Sequence, residues 1–245
     1  MAYSEQRVIE KRHWSDNIFS FKTTRPQDFT FRNGEFVTLG LRNDNKLIPR
    51  AYSIVSSNQD EALEFLSIHV PDGPLTSLLT HVDEGSPIWI NHKSTGSLTL
   101  QHIQPGRHLY LLATGTGVAP FISLIRGAEV YQHFDKVILV HTVRFLDGLA
   151  FRDELEARQD DSFIYFPSVT REAFEHNERG AELFCSGRLS GLVGLPEIDP
   201  DQDRVMICGN PNMNRDVRAC LEQRGWCMTN HKGVGNFSLE QAFVL

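Results

Sequence analysis

With 245 residues, 40% of them hydrophobic, the chain is long enough for one large domain or two ordinary ones and apolar enough for a substantial core. Its net charge of −7 opposes general nucleic-acid binding, and neither half is a basic module: residues 1–103 sum to −2 and residues 104–245 to −5. No apolar run reaches bilayer-spanning length and the first residues form no apolar signal core, so a cytoplasmic protein without membrane insertion is expected.

From Arg7 to Leu100 the residues read as short β-strands separated by turn formers. Arg7–His13, Ile18–Thr24, Glu35–Leu41, Ala51–Val55, Leu63–Val70, Ile88–Asn91 and Ser97–Leu100 alternate or cluster β-formers, with Asn-Asp-Asn at 43–45, Pro-Asp-Gly at 71–73 and Ser-Thr-Gly at 94–96 between them. The spacing suits a small antiparallel β-barrel with one short helix over Leu75–Val82. Within it, Arg50-Ala51-Tyr52-Ser53 sets a cation, a flat phenol and a hydroxyl side by side, and strand alternation sends Tyr52 and Ser53 to opposite faces. Those groups suit a phosphate, a planar ring and the ring's edge; a strand tyrosine that fills the barrel core fits the same residues. Pro71 to Ser77 adds a turn and a helix N-terminus, where Thr76 and Ser77 are able to donate to phosphate.

After Gln104-Pro105-Gly106 the rhythm lengthens. Strands are expected over His108–Ala113, Lys136–Thr142, Phe163–Thr170 and Arg204–Cys208, and helices over Ala119–Val130, Gly148–Arg158 and Pro211–Arg224. Strands alternating with helices imply a parallel sheet with right-handed crossovers, so the second unit is read as an α/β domain and the boundary is placed at 103/104.

Open parallel sheets bind ligands beyond the carboxyl ends of their strands. Thr114-Gly115-Thr116-Gly117 falls there, ahead of a helix N-terminus, although the full Gly-x-Gly-x-x-Gly fingerprint is missing and an ordinary tight turn reads the same way. Cys208-Gly209-Asn210-Pro211 repeats the arrangement at a second strand end, with Cys208 either bordering a ligand or serving as a small apolar filler. Arg144, Arg171 and Arg179 follow strands on the same edge and carry forks that match phosphate oxygens. Together the two halves look built to hold two nucleotide cofactors face to face. Cys185, Cys208, Cys220 and Cys227 contain no Cys-x-x-Cys pair and the ten histidines no His-x-x-x-His spacing, so no metal site is expected.

The chain resembles the ferredoxin–NADP reductase family, specifically its short bacterial members. The resemblance runs in order through both halves: Arg50-Ala51-Tyr52-Ser53, Val70-Pro71-Asp72-Gly73-Pro74-Leu75-Thr76-Ser77, Gly115-Thr116-Gly117-Val118-Ala119-Pro120, His141-Thr142-Val143-Arg144, Val169-Thr170-Arg171-Glu172 and Val205-Met206-Ile207-Cys208-Gly209-Asn210-Pro211. It implies FAD in the barrel, with Tyr52 stacked on the isoalloxazine, Ser53 near N5, Arg50, Thr76 and Ser77 around the pyrophosphate, and His69 beside the flavin or its ribityl chain. Ala51, Ile68, Val70, Pro74 and Leu75 complete that contact set. Thr116 and Cys208 would border the nicotinamide together with Gly209, Asn210, Pro211 and Asn212, while Arg144, Phe145, Thr170, Arg171 and Arg179 would hold the adenosine end. An extra 2′-phosphate needs cations, so NADP is implied rather than NAD. Plant-type members end in an aromatic residue lying on the flavin; this chain continues through Ala242-Phe243-Val244-Leu245, a tail like that of one bacterial subgroup, in which Ala242 would cover the ring face and Phe243 flank it.

The expected activity is hydride exchange between NADP(H) and FAD, followed by single-electron exchange with ferredoxin or flavodoxin. Ser53 and Cys208 then act as positioning groups, with Ser53 also able to assist protonation at N5. Two other readings share these residues: an NAD(P)H-dependent flavin or oxygenase-component reductase, and a flavin-binding regulatory module without redox function.

Overall fold

Phe19, Phe21, Val37, Leu39, Leu63 and Phe65 recur at alternate positions of successive segments, and the computed structural model, which describes residues 3–44 and 46–241, gathers them into one barrel core. The six strands are β1 (Tyr3–His13), β2 (Ile18–Thr24), β3 (Phe36–Asn43), β4 (Lys46–Ser53), β5 (Ala62–Ile68) and β6 (Pro87–Thr95), hydrogen-bonded in the order β4-β3-β6-β1-β2-β5. An irregularity between Val8 and Glu10 divides β1, so its first half pairs with β6 and its second half with β2. The barrel closes where the chain leaves β4: Ile54 bridges Phe65, and the Val55 amide donates to the Glu64 carbonyl at 2.8 Å. Pro49 is tolerated in β4 because that strand ends the hydrogen-bonded order. The one barrel helix, α1 (Thr76–Leu79), is shorter than the span expected over Leu75–Val82.

The second half holds β7 (His108–Thr114), β8 (Lys136–Val143), β9 (Phe163–Val169), β10 (Arg204–Gly209) and β11 (Phe237–Gln241) in one sheet ordered β11-β10-β7-β8-β9, with every pairing parallel. Both faces of this sheet are covered. In β7, Leu109, Leu111 and Ala113 join one core while Tyr110 and Leu112 join the other, which is why the strand reads as an unbroken apolar run. The helices are α2 (Ala119–Arg126), α3 (Val130–His133), α4 (Arg152–Ala157), α5 (Gly180–Cys185), α6 (Arg188–Leu192) and α7 (Pro211–Gln223).

β1 and β6 are longer than the expected Arg7–His13 and Ile88–Asn91, and four other expected spans need correction. Ser97–Leu100 is no strand: Leu98 leaves the barrel to enter the core shared with the second half, and a single 3-10 turn follows at Leu100–His102. The strand expected at Ala51–Val55 is the end of the longer β4. The helix expected to run to Val130 stops at Arg126, where Gly127 adopts an extended conformation, and resumes as α3. The helix expected from Gly148 begins at Arg152, because Phe151 is held at φ 63° with its ring buried against Trp14, ring centroids 4.5 Å apart. The sequence reading also passed over α5, α6 and β11.

The halves share a seam. Val55, Leu66, Leu98 and Ile103 pack into the same core as Phe121, Ile122 and Ile125 of α2. Beside it, Arg126 pairs with Glu64 of the barrel and with Glu154 of α4, each at 2.7 Å. Among the described residues no helix is long and apolar enough to cross a membrane.

Candidate functional site

Strand order reverses direction between β7 and β10: the chain steps from β7 outward to β8 and β9, then returns to β10 on the other side. Crevices form at such a switch point because the loops leaving the two strands turn apart. Here the two glycine turns meet. A Cβ added to Gly117 would lie 2.3 Å from the Cys208 carbonyl oxygen, and one added to Gly209 would lie 2.1 Å from the Thr114 Oγ1. Gly115 differs: its φ of +54° calls for glycine, yet nothing stands within 4 Å of its added Cβ, so that side of the turn is open.

The Thr114 Oγ1 accepts from the Asn210 backbone amide at 2.9 Å and from its side-chain amide at 3.2 Å. Asn210 in turn caps α7 by accepting from the Met213 amide at 2.9 Å, and Pro211 occupies the first helical turn. Asn212 follows it, exposed. Behind the turn, the buried His141 bonds the Gly115 carbonyl through Nε2 at 3.0 Å. Thr116 is half-buried, and Cys208 is buried, its thiol pushed up by burial and then by Glu240. A thiol so placed stays protonated, consistent with a packing or positioning role rather than a nucleophilic one.

The loops after β8 and β9 are zipped together. Thr170 donates its amide to the Val143 carbonyl at 3.0 Å and its hydroxyl to the same oxygen at 3.2 Å, the Arg171 amide donates to the Arg144 carbonyl at 2.9 Å, and the Leu146 amide donates to the Glu172 carboxylate. This brings Arg144 and Arg171 to adjoining backbone positions. Both side chains are exposed, and neither guanidinium has a hydrogen-bond or ion-pair partner among the described residues. Arg179 is different, since it pairs with Glu182 at 2.9 Å. Its segment is nonetheless pinned to the same strand ends, through the Gly180 amide to the Thr142 hydroxyl at 3.1 Å. Phe145 stands beside Arg144, 48% exposed.

On the barrel, the Tyr52 ring meets Phe21 and Phe65 edge-on, with both centroid distances 6.4 Å, and its hydroxyl pairs with the Ser67 Oγ at 3.0 Å. Burial pushes the phenol pKa up. Ser53 is half-buried at the end of β4, and Ala51 and Arg50 are exposed on it, the Arg50 guanidinium donating only to the Pro49 carbonyl at 2.8 Å. Ile68 ends β5, and His69 follows with its amide on the Asn17 carbonyl at 2.7 Å. Val70 and Pro74 are exposed on the adjoining loop, while Leu75 is buried beneath it. The hydroxyls of Thr76 and Ser77 are engaged within that loop: Thr76 donates to the Val70 carbonyl at 3.2 Å and Ser77 to the Gly73 carbonyl at 2.7 Å. The Leu75 and Thr76 amides have no acceptor among the described residues. A hydroxyl one residue from its own turn satisfies the turn first.

One group escaped the sequence reading. Glu240 on β11 lies in register with Cys208, and its carboxylate accepts from both the amide and the hydroxyl of Ser97, the latter at 3.0 Å, joining the sheet edge to the barrel exit. Burial raises its pKa against the opposing Ser97 bonds. The available signal was the alternation of Phe237, Leu239 and Gln241 with Ser238 and Glu240, a short strand pattern ahead of the tail. Ala242 and Phe243 lie outside the described residues.

The chemistry of these residues fits phosphate-bearing cofactors. Glycines that a methyl group would fill, unpaired loop amides and guanidinium groups without anionic partners form a donor set for phosphates, and a flat ring borders the barrel side. Residues 5–99 match the family described as oxidoreductase FAD-binding domain, and residues 111–219 match the oxidoreductase NAD-binding domain. Ferredoxin–NADP reductase of Pseudomonas aeruginosa is 46% identical over 250 residues, covering 98% of this chain and 97% of that protein. The flavodoxin/ferredoxin–NADP reductase of Rhodobacter capsulatus is 44% identical, covering 98% and 93%. The crystal structure of a ferredoxin NADP+ reductase from Neisseria gonorrhoeae with bound FAD and NADP superposes with a TM-score of 0.94 at 31% identity, covering 99% of this chain and all of that one.

Proposed function

The chain belongs to the ferredoxin–NADP reductase family of FAD-dependent NADP(H) oxidoreductases, and we propose that it exchanges a hydride with NADP(H) and single electrons with ferredoxin or flavodoxin. In this reading residues 1–103 hold FAD and residues 104–245 hold NADP(H). Bound FAD supplies the conversion between two-electron and one-electron chemistry. The chain's own residues bind and orient. Arg50 and the Leu75 and Thr76 amides would hold the flavin pyrophosphate, Tyr52 would stack on the isoalloxazine, and Ser53 would lie near its edge. Across the seam, Thr116, Cys208 and Gly209 shape the nicotinamide end, and the close approach of Gly117 to Cys208 keeps that end narrow. Glu240, held by Ser97 with its pKa raised by burial, offers a protonatable group beside Cys208. The cytoplasm is the proposed location, a reading supported by cysteines that are all free, as expected of a reducing compartment.

The observation that carries the preference for NADP(H) is the Arg144–Arg171 pair: two exposed cations, zipped side by side through their backbones, with no anion of the described protein to satisfy them. A 2′-phosphate is a dianion that such forks fit. Arg144→Ala or Arg171→Ala is expected to cost about 1.5–3 kcal/mol toward NADPH, roughly a 10- to 150-fold loss in kcat/KM, with little change toward NADH. Steady-state ferricyanide reduction with each nucleotide measures this. Equal losses for the two nucleotides would assign the arginines to structure instead. Reduction of purified ferredoxin and flavodoxin by the NADPH-fed enzyme tests the carrier.

A further inference from the structure

The Gly115 carbonyl and the Thr116 amide belong to one peptide plane, and in a trans peptide they point in opposite directions. The carbonyl is fixed. It points inward to His141 on β8, whose Nε2 lies 3.0 Å away. A carbonyl can only accept, so Nε2 carries the proton, and Nδ1 is left as the acceptor for the Tyr165 hydroxyl of β9 at 3.4 Å. The ring is buried, and the Gly115 carbonyl specifies its tautomer. It follows that the Thr116 N–H points away from His141, and the neighbouring Gly115 has nothing within 4 Å of an added Cβ. No acceptor outside the helices and strands takes that amide among the described residues.

We infer that His141 is a positioning residue for the dinucleotide: by holding the Gly115 carbonyl inward it aims the Thr116 amide at an oxygen acceptor on the pyrophosphate–nicotinamide half of NADP(H). The inference rests on the reading of this turn as the NADP(H) site. Left-handed glycine turns have an alternative peptide orientation available at small cost, because glycine lacks the Cβ that would forbid it. Without the imidazole donor, only the short 3-10 turn Gly115–Val118 restrains the Gly115 carbonyl, and the Thr116 amide loses its fixed aim at the ligand. The Tyr165 hydroxyl is the second tier of the same device, keeping the proton on Nε2. His141 touches no ligand in this arrangement and takes no part in hydride or proton transfer.

The test uses the FAD-loaded protein and calorimetric titration with two ligands: NADP+, which spans the whole site, and adenosine 2′-monophosphate, which reaches only the arginine end. His141→Leu is expected to raise the Kd for NADP+ about tenfold, the equivalent of one lost hydrogen bond, with the Kd for adenosine 2′-monophosphate unchanged. His141→Gln keeps an N–H donor and is expected to stay within about threefold of wild type. Tyr165→Phe preserves the ring's shape and is expected to raise the NADP+ Kd by about two- to fivefold. Wild-type NADP+ affinity in the leucine variant, equal loss of both ligands, or a glutamine variant as weak as leucine would each overturn the inference. Should the leucine variant not fold, Tyr165→Phe and the imidazole ¹⁵N spectrum of the wild type decide: a ring with a proton on Nε2 supports the inference, an Nδ1–H tautomer with Nε2 bare refutes it. If the wild type fails to bind adenosine 2′-monophosphate, it is the arginine reading above that falls, while the NADP+ arm still judges His141.

Discussion

The hydroxyl of Thr114, the last residue of β7, accepts two hydrogen bonds from Asn210, the first residue beyond β10. One side chain thereby sets the height of both glycine turns and the N-terminal cap of α7. Thr114→Val keeps the shape and removes the acceptor. The expected loss is about 0.5–1.5 kcal/mol in stability, because Asn210 is exposed and water replaces part of the bond. Gly117→Ala is the harsher change, since the added methyl meets a backbone carbonyl that has no rotamer to escape into. A cost of about 1–3 kcal/mol is expected, with weakened NADP+ binding. Urea unfolding alongside NADP+ titration measures both; an alanine variant with wild-type stability and affinity would show that the turns are not in contact.

Tyr52 is anchored at two ends, by its hydroxyl to Ser67 and by its ring edges to Phe21 and Phe65. Tyr52→Ala is expected to weaken FAD retention by about 2–4 kcal/mol, leaving protein that is partly colourless after gel filtration. Tyr52→Phe, which loses only the hydroxyl bond, is expected to cost about 0.5–1.5 kcal/mol and to keep its colour. Stoichiometric FAD with an unchanged visible spectrum in the alanine variant would remove the ring from the flavin site.

Arg126 serves two carboxylates from a position at the seam, and burial of Glu64 makes the pairing unforgiving. Burial alone would raise the Glu154 pKa, yet the Arg126 guanidinium holds it below the usual range. Arg126→Met strips the buried Glu64 of its ion-pair partner and leaves only the longer-range charge of Lys22 opposite, at an expected cost of about 3–5 kcal/mol. Glu64→Leu added to Arg126→Met should recover most of that loss, because the buried charge is then gone as well. Denaturation followed by circular dichroism distinguishes the cases. A double variant no more stable than the single one contradicts the desolvation argument.

Acid stability carries the mark of His141. Burial, opposed only by its bond to the Gly115 carbonyl, pushes its pKa from 6.5 down to about 4. Below 6.5 the unfolded chain takes up a proton that the folded chain refuses, so the native state is fully favoured above about pH 6.5 and loses ground as pH falls toward 4. At ~1.4 kcal/mol per pKa unit the loss is on the order of 3 kcal/mol. His108, its pKa also lowered first by burial, pulls in the same direction. Urea melts at pH 7, 5.5 and 4.5 should show the decline in the wild type and a shallower one in His141→Gln. Parallel profiles would mean that His141 already titrates normally in the folded protein.

Much of the architecture was legible because its causes are local. The alternation in Ile18–Thr24 gave that strand its ends, and the change of rhythm after Gly106 announced a parallel sheet. The apolar run of His108–Ala113 needed only Thr114 added. Segments whose conformation answers to distant partners were not legible. Leu98 reads as a β-former, but it is drawn out of the barrel by the core around α2. Phe151 reads as a helix interior, yet the position of Trp14 holds it in a left-handed conformation before the helix starts. At the site, strand ends located Arg144, Arg171 and the two glycine turns, because the carboxyl edge follows from the strands themselves. Glu240 was invisible because its meaning comes from Ser97, 143 residues away. The bonds of the Thr76 and Ser77 hydroxyls to the Val70 and Gly73 carbonyls were not legible, because sequence does not display which carbonyls a loop brings within reach.

The core that runs from Leu66 and Leu98 through Phe121 to Tyr165 makes the boundary between the halves a line in the sequence but not a fault in the molecule. Neither half can be lifted away without baring the apolar side of the other, so both are expected to melt in one transition. For anyone grafting a nucleotide domain of different coenzyme preference onto this barrel, the unit of exchange is therefore larger than the domain. Val55, Leu66, Leu98 and the Glu64 carboxylate must be matched to the incoming helix, or the hybrid begins life with a wound along its centre.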